Sequence, residues 1–154
     1  MLQNINKRDN VWKKGELYGI ELSGKTIGVM GYGNIGSKVG KIAQGVGMKV
    51  LACVNSRSPE RDQELGAHGV TCVEFPELLA SADIISLNCP LTDATRDLIG
   101  TAEFRQMKPK SILVNLSRGG VVDETALYDA LKDRLIFGAA SDVFKDERQS
   151  SPLF

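Results

Sequence analysis

The chain has 154 residues, of which 42% are hydrophobic and 25% charged, and its 19 Lys and Arg residues balance its 19 Asp and Glu residues. This composition excludes wholesale disorder, and the zero net charge argues against nucleic acid or an anionic membrane as the main partner. Because no apolar run approaches the roughly 20 residues of a membrane span and the N-terminus lacks a signal-peptide core, we expect a soluble, cytoplasmic protein.

Residues 1–23 are polar and basic, with Trp12, Leu17 and Tyr18 among a few apolar anchors. We interpret them as a segment, helical in part, that leads into a single domain formed by residues 24–154. A chain of this length buries roughly 68–70% of its unfolded surface, so it needs no disulfide or metal for stability.

Six short runs rich in apolar and β-branched residues follow, and amphipathic stretches separate them. The runs are residues 26–30, 49–54, 70–73, 82–88, 111–116 and 138–144. Such alternation is typical of a parallel sheet covered by helices. With right-handed crossovers it predicts an α/β fold, namely a Rossmann-type doubly wound parallel sheet of about six strands.

Local signals place several helices between these runs. Apolar residues at helical spacing after the first run predict a helix with one apolar face. These residues are Ile35, Val39, Ile42, Ala43 and Val46. Pro76 suits the first turn of a short helix, Pro109 ends a helix, and Asp123 is a suitable cap for the helix that follows it.

The three cysteines, Cys53, Cys72 and Cys89, are odd in number, widely spaced and surrounded by apolar residues. This pattern indicates reduced thiols in the core of an intracellular protein, and neither a disulfide framework nor a metal site. We therefore expect no bound metal ion.

A glycine-rich loop carries the first functional signal. The motif GYGNIG follows a predicted strand and opens a predicted helix, which is the context that a dinucleotide-binding loop requires. Gly31 allows a tight turn, Gly33 lets a pyrophosphate approach the backbone, and Gly36 allows the helix to pack closely. Backbone N–H groups at the helix start, including those of Asn34 and Ile35, attract phosphates. The alternative is a glycine-rich turn without a ligand.

The end of the second predicted strand bears on which dinucleotide binds. NAD-binding domains place an acidic residue there to hold the ribose 2′-hydroxyl, whereas this sequence has Asn55, Ser56 and Arg57 and no carboxylate. Because these side chains donate hydrogen bonds, they suit a 2′-phosphate, and we predict NADP in preference to NAD. The alternative is that Arg57 is a solvated loop residue and the site takes NAD.

Several blocks of the sequence resemble one known family. They are ELSGKTIGVMGYGNIGSKVGKIAQGVGMKVLA, SADIISLNCPLTDATRDLIG, MKPKSILVNLSRGGVVDETALYDALKD and GAASDVFKDE. Together they cover nearly the whole chain from Glu21 to Glu147. In order and spacing they are similar to the nucleotide-binding domain of the NAD(P)-dependent D-2-hydroxyacid dehydrogenases, which include phosphoglycerate dehydrogenases, glyoxylate/hydroxypyruvate reductases and D-lactate dehydrogenases.

The resemblance implies an oxidoreductase that transfers hydride between a nicotinamide and a small 2-hydroxy or 2-keto acid. Arg118 matches the family's catalytic arginine, whose guanidinium grips the substrate carboxylate and polarises the reacting oxygen. Glu147 falls at the position of the catalytic glutamate, which pairs with a histidine that exchanges the substrate proton. The alternative for Arg118 is an exposed arginine in a turn, but it follows a predicted strand and precedes two glycines at the edge where ligands bind in doubly wound folds. Taken alone, Glu147 would be interpreted as a solvated residue in a run of charged residues, and only its spacing from Arg118 supports the catalytic role.

The resemblance also implies contacts with the cofactor. Asp142 matches a residue near the nicotinamide end. The loop that contains Cys89, Pro90 and Thr92 matches the loop that passes under the adenosine half.

Other features depart from the family pattern. Asn88 stands where a histidine is usual, and Ser141 replaces an aliphatic residue. The family's catalytic histidine lies beyond the position at which this chain ends, and the single histidine, His68, is predicted to be a surface residue. The separate substrate domain is also expected to be absent. We therefore expect the isolated chain to bind the cofactor but to be inactive.

In the family, this domain also provides the dimer contact, so residues 1–23 are a candidate dimerisation helix of a homodimer. The alternative function is a non-enzymatic dinucleotide-binding dimerisation module, like the corepressors of the same fold. The family spacing of Arg118 and Glu147 favours the enzyme, because such a module has no chemical need for that pair. A methyltransferase-type domain that binds a nucleoside fits less well, since it offers no reason for the SRGG and DVFKDE blocks.

Overall fold

The computed structural model describes residues 19–145. The predictions for Trp12, Leu17, Tyr18 and Glu147 therefore lie outside the described residues. Within the described range, no helix is long and apolar enough to cross a bilayer.

Strands and helices alternate along this part of the chain. In order they are β1 (Thr26–Met30), α1 (Asn34–Gly45), β2 (Lys49–Cys53), α2 (Pro59–Ala67), β3 (Val70–Cys72), α3 (Phe75–Ser81), β4 (Ile84–Leu87), α4 (Thr101–Gln106), β5 (Ile112–Asn115), α5 (Glu124–Lys132) and β6 (Gly138–Ser141). All neighbouring strands are parallel, in the order β3-β2-β1-β4-β5-β6. The predicted Rossmann-type doubly wound sheet is thereby confirmed.

All six predicted strands are present, and most of them end earlier than the apolar runs suggest. The largest difference is at β6, which is expected to reach residue 144 and ends at Ser141. The Ser141 hydroxyl donates a hydrogen bond to the Val143 carbonyl (2.8 Å), so the chain turns away from the sheet.

The helix starts follow local capping signals, and one helix was not predicted. Asp123 caps α5 as predicted, and Pro76 lies in the first turn of α3. Helix α2 has no predicted counterpart, because Leu65 is its single buried residue and no apolar period results. The available signals were Ser58, which accepts a hydrogen bond from a backbone N–H of the first turn, and Pro59 at the first helical position.

Helix α1 lies where it was predicted, but only part of its predicted apolar face packs against the sheet. Its buried residues are Gly36, Gly40 and Ala43, whereas Ile35 and Ile42 are 70% and 69% exposed. The small residues allow close packing, since a Cβ at position 36 would overlap the backbone carbonyl just after β1. Of the predicted apolar face, Ala43 is buried and Val39 packs against the core, whereas the other three residues are exposed.

Two hydrophobic clusters stabilise the sheet. The larger one includes Leu78, Phe104 and Leu127 from α3, α4 and α5. The smaller one includes Ala43 and Leu65 from α1 and α2. Strands in such a sheet are covered on both faces, which explains their nearly continuous apolar sequences.

Asp83 connects the amino-terminal ends of three strands. Its carboxylate accepts a hydrogen bond from the Thr26 N–H (2.9 Å) and pairs with Lys108 (3.0 Å), and its backbone carbonyl accepts from the Ile112 N–H. Burial by itself would raise the pKa of the Asp83 carboxyl. The hydrogen bonds from Thr26 and Lys108 and the charges of Lys108 and Lys25 outweigh burial and hold this pKa below its ordinary value.

We predict that Asp83→Asn lowers the free energy of unfolding by about 1 kcal/mol near neutral pH, because a charged acceptor is lost. A carboxyl whose pKa is lowered by folding stabilises the protein above its unfolded pKa of about 3.9, and this contribution disappears as the pH falls through the folded value. The difference between variant and wild type should therefore shrink between about pH 5 and about pH 2. Urea denaturation over this range measures it, and a constant difference would contradict the prediction.

Candidate cofactor-binding site

The carboxyl ends of β1 and β4 lie side by side where the order of the sheet reverses. In doubly wound folds, ligands bind in the crevice outside this edge. The predicted site residues within the described range all follow strands that end here. They are residues 31–36 after β1, 55–57 after β2, 89–92 after β4, 118 after β5 and 142 after β6.

The glycine loop turns sharply at the end of β1. Gly31 has φ +87°, a conformation that favours glycine, and its N–H donates to the Cys53 carbonyl of β2 (2.9 Å). A Cβ at this position would lie 2.8 Å from the Asn88 carbonyl oxygen after β4. Asn88 in turn donates its side-chain amide to the Ser86 hydroxyl (3.0 Å). Position 31 thus requires glycine for two reasons: the turn needs a positive φ, and the neighbouring backbone leaves no room for a Cβ.

The loop leaves an open space at the start of α1. Gly33 is the N-cap of this helix, no side chain caps it, and the first turn contains no acidic residue. Nothing lies within 4 Å of the position that a Cβ on Gly33 would occupy. The first N–H groups of a helix have no partners inside it, and the helix dipole favours negative charge there. The space and the donors therefore fit a pyrophosphate.

The loop after β2 presents Asn55, Ser56 and Arg57, all exposed. Arg57 is already engaged, because its Nε lies 3.0 Å from an Asp62 carboxylate oxygen and its Nη1 lies 3.0 Å from Glu74 Oε1. Hydrogen bonds to Asp62 and Glu74 raise the pKa of Arg57 above its ordinary value. These two partners lie 5 and 17 residues away along the chain and were not predicted from the sequence.

The loop after β4 is compact. Cys89 is buried, whereas Pro90 and Thr92 are exposed. The Thr95 hydroxyl donates to the Pro90 carbonyl (2.6 Å) and accepts from the Thr92 N–H (2.8 Å). These bonds fix the conformation of the exposed part of the loop at the same edge of the sheet as the glycine loop.

The three cysteines are free and buried, as predicted. Burial raises the pKa of Cys53 and of Cys89. Burial and a hydrogen bond with Asp62 raise the pKa of Cys72 to about 11. All three thiols are therefore neutral near physiological pH and are weak nucleophiles. Among residues 19–145, no group of three or more His, Cys, Asp and Glu side chains is placed to hold a metal ion.

Asn115 at the end of β5 shapes the turn that carries Arg118. Its carboxamide oxygen accepts from the Ser117 N–H (3.1 Å) and hydroxyl (2.9 Å), and its amide donates to the Arg118 carbonyl (3.1 Å). The Arg118 side chain is exposed and donates to the Ser117 carbonyl (2.7 Å). No carboxylate within the described part of the chain forms an ion pair with it. Asn115 was not predicted, although a polar residue ending an apolar strand was a usable signal.

The chain after β6 passes directly over the turn that follows β5. A Cβ on Gly119 would overlap the Phe144 carbonyl oxygen, so this approach requires glycine. The Lys145 ammonium pairs with Asp97 (3.7 Å) and holds the passing segment in place. Asp142 is exposed at the same edge. The segment therefore lies beside the turn that carries the predicted catalytic arginine.

The order of the strands separates the site into two ends. Arg57 follows β2 on one side of the glycine loop, and Arg118 and Asp142 follow β5 and β6 on the other side. An extended ligand with its pyrophosphate at Gly33 would thus reach different side chains at its two ends. The fold and this arrangement define the class of protein, an α/β dinucleotide-binding domain.

Comparison with known proteins identifies the family. The family model for the NAD binding domain of D-isomer specific 2-hydroxyacid dehydrogenases matches residues 2–154. A glyoxylate reductase from Thermococcus litoralis is 45% identical over 147 residues, which cover 91% of this chain and 44% of that protein. The chain belongs to the D-2-hydroxyacid dehydrogenase family and corresponds to its NAD-binding domain, as predicted.

Solved structures agree with this assignment. The crystal structure of a glyoxylate reductase from Paecilomyes thermophila has a TM-score of 0.80 at 37% identity and covers 88% of this chain and 40% of that one. A D-lactate dehydrogenase with NAD+ from Lactobacillus jensenii has a TM-score of 0.76 at 36% identity, covering 90% of this chain and 42% of that one. The chain therefore spans less than half the length of these relatives.

We predict that Asn115→Ala lowers the free energy of unfolding by about 2–3 kcal/mol, because the Ser117 N–H and hydroxyl and the Arg118 carbonyl lose a buried partner. Urea denaturation without cofactor measures this loss. Asn55→Ala removes the same side chain from an exposed loop and serves as the control, with an expected change within about 0.5 kcal/mol. Equal effects of the two substitutions would show that Asn115 does not organise the turn.

Proposed function

We propose that the chain binds a nicotinamide dinucleotide along the carboxyl edge of its sheet. The observation that carries this proposal is the open space beside Gly33 at the start of α1. The adenosine half would lie toward β2 and the exposed loop with Pro90 and Thr92, above the buried Cys89. The nicotinamide would lie toward Asp142. The N–H groups of Asn34 and Ile35 would hold the pyrophosphate, which the dipole of α1 stabilises.

NADP is the preferred cofactor in this proposal, and NAD is the alternative. Asn55, Ser56 and Arg57 are exposed after β2, and none of them carries a negative charge. Their donors suit a 2′-phosphate, whereas a carboxylate in this position would favour a ribose hydroxyl. The contacts of Arg57 with Asp62 and Glu74 act against the phosphate, so the preference depends on how these charges balance.

We infer that the chain contributes to hydride transfer in an oxidoreductase that acts on a small 2-hydroxy or 2-keto acid. A bound nicotinamide supplies the group that accepts or donates hydride. Arg118 would bind the substrate carboxylate through its planar guanidinium and polarise the reacting oxygen. Glu147 would pair with a histidine and raise its basicity, so that the histidine holds the substrate proton. The names of the relatives, glyoxylate reductase and D-lactate dehydrogenase, support this substrate class.

A non-enzymatic dinucleotide-binding module of the same fold is the second candidate. The exposed apolar residues of α1 would serve dimerisation in either case. The exposed guanidinium of Arg118, held on a shaped turn beside the crevice, favours the enzyme. A module without catalysis has no chemical need for this arrangement.

We predict that Gly33→Ala weakens binding of NADPH and of NADH by about tenfold or more, since the new Cβ fills the space for the pyrophosphate. Isothermal titration calorimetry measures both affinities. Gly45→Ala is the control, because a Cβ there also meets open space but lies at the far end of α1. Both variants should fold, with melting temperatures near that of the wild type. Unchanged affinity in Gly33→Ala, or no binding by the wild type, would contradict the proposed site.

We also propose that the chain forms a homodimer. Two apolar residues of α1, Ile35 and Ile42, and its C-cap residue, Val46, are 70%, 69% and 48% exposed. Ile20 and Leu22, before β1, are each 38% exposed. Exposed apolar residues clustered on one helix indicate an interaction surface, and a second copy of the chain would cover this one.

We predict that Ile42→Lys converts a dimer into a monomer, because a charge would be buried at the apolar surface of α1. Light scattering coupled to size-exclusion chromatography measures the mass in solution. Tyr128→Lys makes a comparable change on α5, where Tyr128 is 43% exposed, and should leave the dimer intact. A wild-type chain that is monomeric at high concentration would contradict the proposal.

We further propose a cytoplasmic location. All three cysteines are free and buried. Proteins that keep several thiols reduced usually work in a reducing compartment, which supports this proposal.

A further inference from the structure

Arg57 is held by two carboxylates from different parts of the chain. Its Nε lies 3.2 and 3.0 Å from the two Asp62 oxygens, and its Nη2 lies 2.9 Å from Asp62 Oδ2. Its Nη1 lies 3.0 Å from Glu74 Oε1. All three nitrogens of the guanidinium are therefore engaged in the structure.

The two carboxylates differ in how firmly they are placed. Asp62 lies in the first turn of α2, and its side chain is 35% exposed. It contacts two nitrogens of Arg57, and the pKa of Asp62 is held below its ordinary value by hydrogen bonds from Arg57 and Cys72. Asp62 therefore fixes the orientation of the guanidinium.

Glu74 is the more weakly held partner. Its side chain is 72% exposed and contacts one nitrogen of Arg57. Glu74 is the N-cap residue of α3, yet its side chain forms no capping hydrogen bond. Its carboxylate thus reaches toward Arg57 and not to its own helix, and an incoming anion would displace it more easily than Asp62.

The two carboxylates around Arg57 repel the 2′-phosphate that Arg57 alone would attract. One positive and two negative side chains leave the cluster with a single net negative charge. A phosphate monoester carries about −1.5 to −2 charges near neutral pH, whereas a ribose 2′-hydroxyl carries none. A 2′-phosphate therefore has to compete with Glu74 for Arg57, whereas a 2′-hydroxyl meets no such competition.

On this basis we propose that Glu74 is a specificity-determining residue that competes with the 2′-phosphate of NADP for Arg57. This inference rests on the proposed binding of a nicotinamide dinucleotide. Discrimination between NADP and NAD then depends on Glu74 at the start of α3. The residues predicted to lie near the ribose, by contrast, follow β2. The segment directly after β2 contains no carboxylate next to Arg57, and Glu74 at the start of α3 provides one.

The test compares the affinities of NADPH and NADH for wild type, Glu74→Gln and Glu77→Gln by isothermal titration calorimetry. Glu77→Gln is the matched control, because Glu77 is an exposed glutamate of the same helix, α3, and no ion pair of the described residues involves it. We expect Glu74→Gln to bind NADPH about fivefold more tightly, which corresponds to about 1 kcal/mol. Its affinity for NADH, and both affinities of Glu77→Gln, should stay within about twofold of wild type.

The outcomes separate this inference from the proposed function. If NADH and NADPH bind to all three proteins but Glu74→Gln and Glu77→Gln give the same ratio of affinities, the competition at Arg57 is refuted and cofactor binding stands. If neither cofactor binds to the wild type, the proposed function fails first. Glu74→Ala, checked for folding by thermal denaturation, provides a second variant and should shift the ratio in the same direction as Glu74→Gln.

Discussion

The close packing of α1 on the end of β1 is the constraint on which the site depends. Gly31 turns with a positive φ between the backbones of the neighbouring strands, and Gly36 leaves room for the helix to rest on that turn. Only residues without a Cβ satisfy both conditions. As a result, α1 begins where the order of the sheet reverses, and its positive dipole end lies at the crevice.

The parallel sheet then brings distant loops to one edge, where two arginines have different surroundings. Arg57 is held by Asp62 and Glu74, so an anion that binds it must compete with carboxylates. Arg118 is exposed, and Asn115 holds its backbone. A substrate carboxylate would therefore meet an available guanidinium, whereas a 2′-phosphate would meet an occupied one. In the proposed function, one arginine would therefore bind the substrate and the other would select the cofactor.

Much of the fold could be predicted because its signals are local. Apolar runs located all six strands, and Asp123 and Pro76 located helix starts. Helix α2 was not predicted, because its one buried residue, Leu65, produces no apolar period. The helical spacing around Ile42 predicted α1 correctly but only part of its packed face, since close helix packing there also uses glycine. The structural role of Asn115 was not predicted, because its hydrogen bonds form only within the folded turn.

By itself, the sequence determined the α/β class, the glycine loop and the family, because each depends on residues close together in the chain or on blocks in a fixed order. Only the tertiary structure decided which side chains meet. Glu74 reaches Arg57 because β2 and β3 are neighbours in a parallel sheet, so that the segments after both strands emerge at one edge. The position of Glu74 at the predicted cofactor site therefore follows from strand order, which no local pattern in the sequence contains.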